Sequence, residues 1–241
     1  MDRVAPNNFR TFAVPISPSR KPLEPEDVAM AATNDVWTDV QQEREALLML
    51  LEGLTPDQWN EQSLCTDWKV RDVVGHMVGE TTMTLPKVFK GFITSGFRIN
   101  RFIATDARQR GNLPVPELVE TFRVAVPTRT HLPGLTSLSM LEDIVIHSLD
   151  IRRPLHQSYS APEGRLVLVA QDLWSNRFFS GKKLFRNLRV TATDTDWSAG
   201  AGPSVTGPIE GLILALSGRL TGLEQLRGEG VETVRERVAK L

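Results

Sequence analysis

Apolar side chains recur at helical spacing in segment after segment, with only short breaks between, and this pattern constrains the fold most. Trp37, Val40, Leu47, Leu48, Leu51 and Leu54 form the first stripe, with a gap at Arg44, and Gly53 suits its end. Thr55-Pro56 then opens a short turn or helix, with Pro56 at the first helical position. The second long segment begins at Lys69. With Lys69 as cap, Trp68 and Val73 make a hydrophobic staple, and Asp72 sits in the first turn, where its charge favours the helix dipole. Lysine cannot accept the capping hydrogen bond, so this start is weaker than one at Ser or Thr. Residues 114–126 read as a third helix. In 135–155 the spacing of Leu141, Ile144, Val145 and Leu149 favours a helix, although Ile-Val-Ile also permits a strand; Pro154 ends the element. About four helices with short connections over 31–155 predict an antiparallel bundle.

Other stretches are less regular. Residues 86–112 interleave Phe89, Phe92, Phe97 and Phe102 with Lys87, Lys90, Arg98 and Arg101. Aromatics among cations occur at nucleic-acid and membrane contacts; the favoured reading here is a helix with phenylalanines inward and cations outward. In residues 1–30, Pro6, Pro15, Pro18, Pro22 and Pro25 break any regular element, so this stretch reads as a poorly ordered arm. An arm that clasps a partner subunit is the competing reading. After His156 the texture changes. Leu166, Val169, Ala170, Leu173 and Trp174 mark another helix, and residues 188–195 alternate like a strand. SAGAGPSV lacks the lysine and spacing of a phosphate loop and reads as only a turn. Gly207, Pro208 and Glu210 stand at cap, first and third positions of a helix, and a final helix closes the chain. The predicted class is mainly α: an arm over 1–30, a helical bundle over 31–158, and a small α+β domain over 159–241.

Lys and Arg number 28 against 29 Asp and Glu, so net charge gives no reason to expect nucleic acid or an anionic membrane as partner. Cys65 is the single cysteine, which excludes an intrachain disulfide and polycysteine zinc sites, and fits a cytoplasmic setting. No window is apolar enough to span a bilayer, and residues 1–30 lack the core of a signal peptide. A metal would have to use His and carboxylates, and the histidines are His76, His131, His147 and His156.

Asp143 and His147 are four apart, hence on one helix face, one turn from each other. A facing helix of a bundle can add a third ligand, and His76, among Val73, Val74, Met77 and Val78, is the natural candidate. Two imidazoles and one carboxylate suit zinc or another divalent transition metal and leave a coordination position open. The plain alternatives are a polar stripe on a core helix and a hydrogen-bonded core histidine. Asp150 can orient an imidazole or pair with Arg153. Arg152 and Arg153 read as a solvated helix end. Spacing leaves these alternatives open.

Two stretches, CTDWKVRDVVGHMVG (65–79) and LEDIVIHSLDIRRPL (141–155), resemble the mycothiol-dependent maleylpyruvate isomerase family, within the DinB-like group of metal-binding helical bundles. TDTDWSAGAGPSVTGPIEGLILALSGRLTGL (193–223) is similar to that family's C-terminal domain. The resemblance implies a DinB-like four-helix bundle with a divalent metal, usually zinc, on His76, Asp143 and His147. Glu142 points about a quarter-turn away from that face. The family's acidic ligand is glutamate; here it is aspartate, one methylene shorter. Lys69 replaces the usual hydroxyl cap, and His156 stands where a helix-ending glycine is common. Cys65, in the loop before the second helix, reads as a packing residue rather than a nucleophile.

The resemblance further implies a thiol-dependent metalloenzyme, isomerase or S-transferase, with mycothiol as cosubstrate and a small electrophile as its other partner. His76, Asp143 and His147 would act through the metal, and Arg219, on a helix of the smaller domain, would bind a substrate carboxylate; a surface helix-end arginine is the alternative. A non-catalytic metal- or ligand-binding relative is the second functional reading. Nucleic-acid binding through residues 87–110 is a third, which the overall charge opposes.

Overall fold

The computed structural model describes residues 35–96, 98–131, 135–175 and 181–240. The arm expected over 1–30 lies outside them. The chain divides into two compact units, whose described parts are residues 35–160 and 161–240.

The first unit is helical: α1 Val36–Glu52, α2 Pro56–Asn60, α3 Val70–Thr82, α4 Leu85–Thr94, α5 Ile99–Gly111, α6 Val115–Ala125 and α7 Ser137–Arg152. Helices α1, α7, α3 and α6 close a four-membered ring in which α1 packs on α6 and α7, and α3 on the same two. This is the expected four-helix bundle. The starts follow the local chemistry. Asp35 accepts from the amide of Trp37 to cap α1, and Thr55 and Gln58 make a reciprocal capping box on α2. At α3 the Lys69 side chain makes no cap, and Asp72 instead accepts from the Lys69 amide at 2.9 Å. The run after α7 ends with His156 at φ 53°, the left-handed conformation that favours glycine, which explains the departure noted there.

Residues 86–112 differ from expectation. Two helices, α4 and α5, replace one, and Phe89 is exposed along with Leu85 and Ile93 on the same face of α4. The phenylalanines therefore do not all point inward; the side chains of Phe92 and Phe97 lie outside the described residues. Phe102 of α5 lies flat against Gly91 of α4, where no Cβ intervenes. Helix α5 packs extensively along α3 because glycines let the two backbones meet. A Cβ on Gly75 would strike the carbonyl oxygen of Ala107 and stand 2.7 Å from the amide nitrogen of Gly111. One on Gly111 would stand 2.5 Å from Oδ1 of Asp72. With α5 on one side and the bundle on the other, α3 buries nearly its whole circumference.

Helix α7 is buried almost throughout, Glu142, His147, Ser148 and Asp150 included. A helix buried all round has no solvent face for polar groups, so they must find partners inside the protein. Arg152 is not a merely solvated helix end: its Nη2 donates to the carbonyl of Ala46 at 2.9 Å, tying α7 to α1.

The second unit holds α8 Glu163–Ser175, α9 Gly181–Leu184, three strands, α10 Ile209–Leu216, a 3-10 turn Leu220–Gln225 and α11 Val231–Val238. The strands β1 Arg189–Ala192, β2 Ser198–Gly200 and β3 Ser204–Gly207 form a sheet of order β2-β1-β3, antiparallel on one side of β1 and parallel on the other. The run SAGAGPSV thus supplies strand at both ends, not only a turn, and Gly202, at φ 128°, makes the turn between them. Pro208 rather than Gly207 caps α10, because Gly207 is still paired in β3. Helix α10 lies against α8 and the 3-10 turn, so its apolar residues are buried on all sides.

Candidate metal centre

The sequence left Asp143 and His147 between a metal pair and a polar stripe. The structure brings them together with His76. Nε2 of His147 lies 3.3 Å from Oδ1 of Asp143, and Nε2 of His76 lies 3.7 Å from the same oxygen. One ligand atom from each of His76, Asp143 and His147 falls within 4.8 Å of the others. Side-chain exposure is 12% for His76, 13% for Asp143 and 7% for His147, so the cluster is largely dry yet still reachable.

The bundle sets this geometry. Helix α3 projects His76 and α7 projects Asp143 and His147 from packed neighbours. Trp68, buried just before α3, has its ring centroid 5.2 Å from that of His76 and 6.4 Å from that of His147. The two imidazoles meet edge to face with centroids 5.0 Å apart. A staple residue in the sequence is thus also an apolar wall that fixes both rings.

The far side of His147 is tied down. Its Nδ1 lies 2.9 Å from Oδ2 of Asp150, which is fully buried. The same oxygen accepts from the Cys65 thiol at 3.0 Å, and the thiol sulfur is 3.7 Å from Nδ1. Asp150 therefore orients the imidazole, the first of its two sequence alternatives. Cys65 is buried as expected but is also hydrogen-bonded to this pair, which sequence neighbours could not show. With Nδ1 engaged by Asp150, Nε2 is the ring nitrogen that faces Asp143.

Charges confirm how closely the groups interact. Burial opposes ionisation of Asp143, but His147 and then His76 overcome it and hold the carboxyl well below its usual range. Burial likewise opposes the charged form of His147, yet Asp143, Asp150 and Cys65 raise its pKa well above the ordinary histidine value. Glu80, one turn beyond His76, is pushed well up by burial and by the charge of the neighbouring Asp143. Buried Arg44 lies near enough to Glu80 and Asp143 to feel both charges, and its Nη1 donates to the carbonyls of Ala125 and Thr128.

Two of these participants were legible as patterns but not as site residues. Glu80 repeats on α3 the four-residue spacing of Asp143 and His147. Arg44 is the gap in the apolar stripe of α1, a charged residue at a core position. Glu142 is buried but falls outside the ligand cluster found among the described residues. Arg219 lies in the second unit, past the end of α10 rather than on it, and its Nη1 donates to the carbonyl of Ser217 at 2.9 Å.

Residues 40–133 match the family profile described as mycothiol maleylpyruvate isomerase N-terminal domain. This segment belongs to that domain family. The match includes His76 and ends before Asp143 and His147. A crystal structure of the mycothiol-dependent maleylpyruvate isomerase superposes with TM-score 0.56 at 12% identity, covering 85% of this chain and 94% of that one. The structure of its histidine-to-alanine mutant gives TM-score 0.57 at 11% identity, with the same 85% and 94% coverage. At such identities the likeness establishes a shared fold, helical bundle and C-terminal unit included. No curated protein matches the chain. No helix among the described residues is long and apolar enough to cross a membrane.

Proposed function

We propose that the chain is a thiol-dependent metalloenzyme of the maleylpyruvate isomerase type, with His76, Asp143 and His147 as the ligands of a divalent metal. The observation that carries this reading is the convergence of those three side chains from two helices. Four ligands about 2.0–2.1 Å from a tetrahedral zinc stand about 3.3 Å from one another. The spacings of 3.3 and 3.7 Å around Oδ1 of Asp143 are close to that edge. The donor set therefore fits zinc, and aspartate suffices where the family has glutamate because the helices already place its oxygen between the imidazoles.

A bound metal would supply a Lewis acid that lowers the pKa of a thiol to near neutrality. The protein's own groups do the rest. His76, Asp143 and His147 hold the ion and leave a position for the thiol. Asp150 keeps the proton on Nδ1 of His147, so Nε2 stays a donor toward the metal. Trp68 excludes water from one side. Mycothiol is the thiol that the family membership favours, and a small electrophilic carbon is the target. Addition followed by elimination gives isomerisation; addition alone gives an S-conjugate. Arg219 is the proposed anchor for a substrate carboxylate, through the bidentate geometry that guanidinium offers.

Elemental analysis of purified protein, with the His76→Ala variant beside it, tests the reading. One equivalent of metal in the parent and none in the variant, with thiol transfer lost alongside, is the expected result. Full thiol-dependent turnover in metal-free protein overturns it, and a protein that takes up neither metal nor thiol points to the non-catalytic alternative.

A further inference from the structure

We propose that helix α4 is a membrane-surface anchor, which lays its apolar row among the headgroups of an anionic bilayer. The metal site proposed above plays no part in it. Leu85, Phe89 and Ile93 follow one another at four-residue intervals and so form one row along α4. They are 59%, 69% and 46% exposed, and Ile99, at the start of α5, is 38% exposed. Gly91 lies about 160° round the helix from Phe89, and it is this glycine that Phe102 of α5 covers. The fold has therefore used one face of α4 and left the apolar row bare. Clustered exposed apolar side chains with a polar rim mark sites of protein or membrane contact.

The charges around the row select the occupant. Lys87, Lys90, Arg98 and Arg101 are all exposed, and no acidic residue stands between Glu80 and Asp106. None of these cations is held in an ion pair among the described residues. The near-zero charge of the whole chain thus hides a local surface that is both cationic and apolar, with the compensating acids elsewhere.

A second copy of this chain fits such a surface poorly. An isologous contact sets the same patch against itself, so cations would face cations. Nucleic acid suits the cations, but Leu85 and Ile93 offer no ring on which a base could stack. An anionic bilayer satisfies both halves. A helix lying in the interface buries its apolar side chains at the acyl boundary, while lysines off that row reach back to the phosphates with their ammonium groups. Lys87 and Lys90 occupy such positions on α4, and Arg98 and Arg101 extend the cationic surface into α5. Only Met83 and Thr84 separate α4 from α3, so docking would hold the end of the bundle that carries this link at the bilayer.

The test mixes the full chain with vesicles of phosphatidylcholine, with and without phosphatidylglycerol, and reads the bound fraction by sedimentation. Binding to the phosphatidylglycerol vesicles that weakens as salt is added, with little binding to phosphatidylcholine alone, is the expected result. Phe89→Ser should lower the partition coefficient by about tenfold. Lys87→Gln combined with Lys90→Gln should lower it by about 10–30-fold, roughly fivefold for each charge. The substituted side chains are exposed, and circular dichroism confirms that the variants are folded. Parent protein that stays in the supernatant with phosphatidylglycerol vesicles at low salt overturns the inference. So does equal binding to the two vesicle types, or binding that neither variant weakens. Analytical ultracentrifugation and a titration with duplex DNA run beside it. Without vesicle binding, a dimer lost in Phe89→Ser assigns the face to a second copy, and DNA binding lost in the lysine variant assigns it to nucleic acid; each overturns the membrane reading.

Discussion

Oδ2 of Asp150 sits 2.9 Å from Nδ1 of His147, on the side of the ring opposite to Asp143. A carboxylate in that position fixes the tautomer, the ring plane and the basicity of the nitrogen that points into the site. Replacing Asp150 with alanine is therefore expected to weaken zinc binding by about 10–100-fold without removing any ligand. The same change leaves the Nδ1 proton and the Cys65 thiol without their buried acceptor, at a cost of about 1–3 kcal/mol in stability. A competition titration and a denaturant melt read the two effects separately. Unchanged zinc affinity in Asp150→Ala would show that the imidazole needs no such support.

The metal-free protein should lose stability as pH rises. His147 has a raised folded pKa, so its contribution is complete below the unfolded value of about 6.5 and disappears as pH climbs through the raised one. Glu80, also raised, adds a loss in the same direction, beginning at about 4.3, because its ionisation is harder in the fold than in the unfolded chain. Asp143 works the other way: its depressed pKa gives stability that is present above about 3.9 and lost as pH falls through the folded value. From about pH 6.5 upward the first two dominate, so the midpoint of thermal unfolding should fall with pH after chelator treatment. Adding zinc should reverse the trend, since binding needs neutral imidazole and becomes tighter as protons leave. A flat or rising midpoint for the chelated protein would contradict the placement of these charges.

Cys65 should prove dispensable as a nucleophile. Its thiol is buried, donates to Asp150, and approaches His147 from the Nδ1 side rather than the Nε2 side. Serine retains a donor for Asp150, so Cys65→Ser is expected to keep both metal and thiol-dependent turnover within a few-fold of the parent. Metal retained but turnover abolished in that variant would move the chemistry onto Cys65.

The elements of the bundle were readable because each long helix carries an apolar stripe and a recognisable stop. The ends were less so. Lys69 was a poor cap on paper, yet α3 starts there because Asp72 takes the Lys69 amide. The break between α4 and α5 was missed because Phe89, Phe92, Phe97 and Phe102 look like one inward row, whereas Phe89 faces out. At the site, the pair Asp143/His147 and the partner His76 could be named from spacing and resemblance, since i and i+4 positions share a face. The contact of Cys65 with Asp150 spans 85 residues of chain, and no local pattern encodes it. The same holds for Trp68, whose burial against both imidazoles depends on how α3 and α7 face each other.

Gly75 precedes His76, and the close approach it permits between α3 and α5 is what seats that histidine. A methyl group there would meet the Ala107 carbonyl and lie 2.7 Å from the Gly111 amide, both backbone atoms that cannot swing aside. One helix must move off the other. The helix-propensity gain of alanine over glycine, about 1 kcal/mol, is set against overpacking of about 1–3 kcal/mol and the displacement of α3. Gly75→Ala should thus be net destabilising and should also weaken zinc binding, because His76 shifts with its helix while Asp143 and His147 stay on α7. Gly164→Ala is the matched control: no atom lies within 4 Å of the added methyl, and the residue is in the second unit. Denaturant melts and zinc titrations of the two variants decide the matter. A Gly75→Ala protein as stable and as tight for zinc as Gly164→Ala would mean that the α3–α5 contact does not position the ligand.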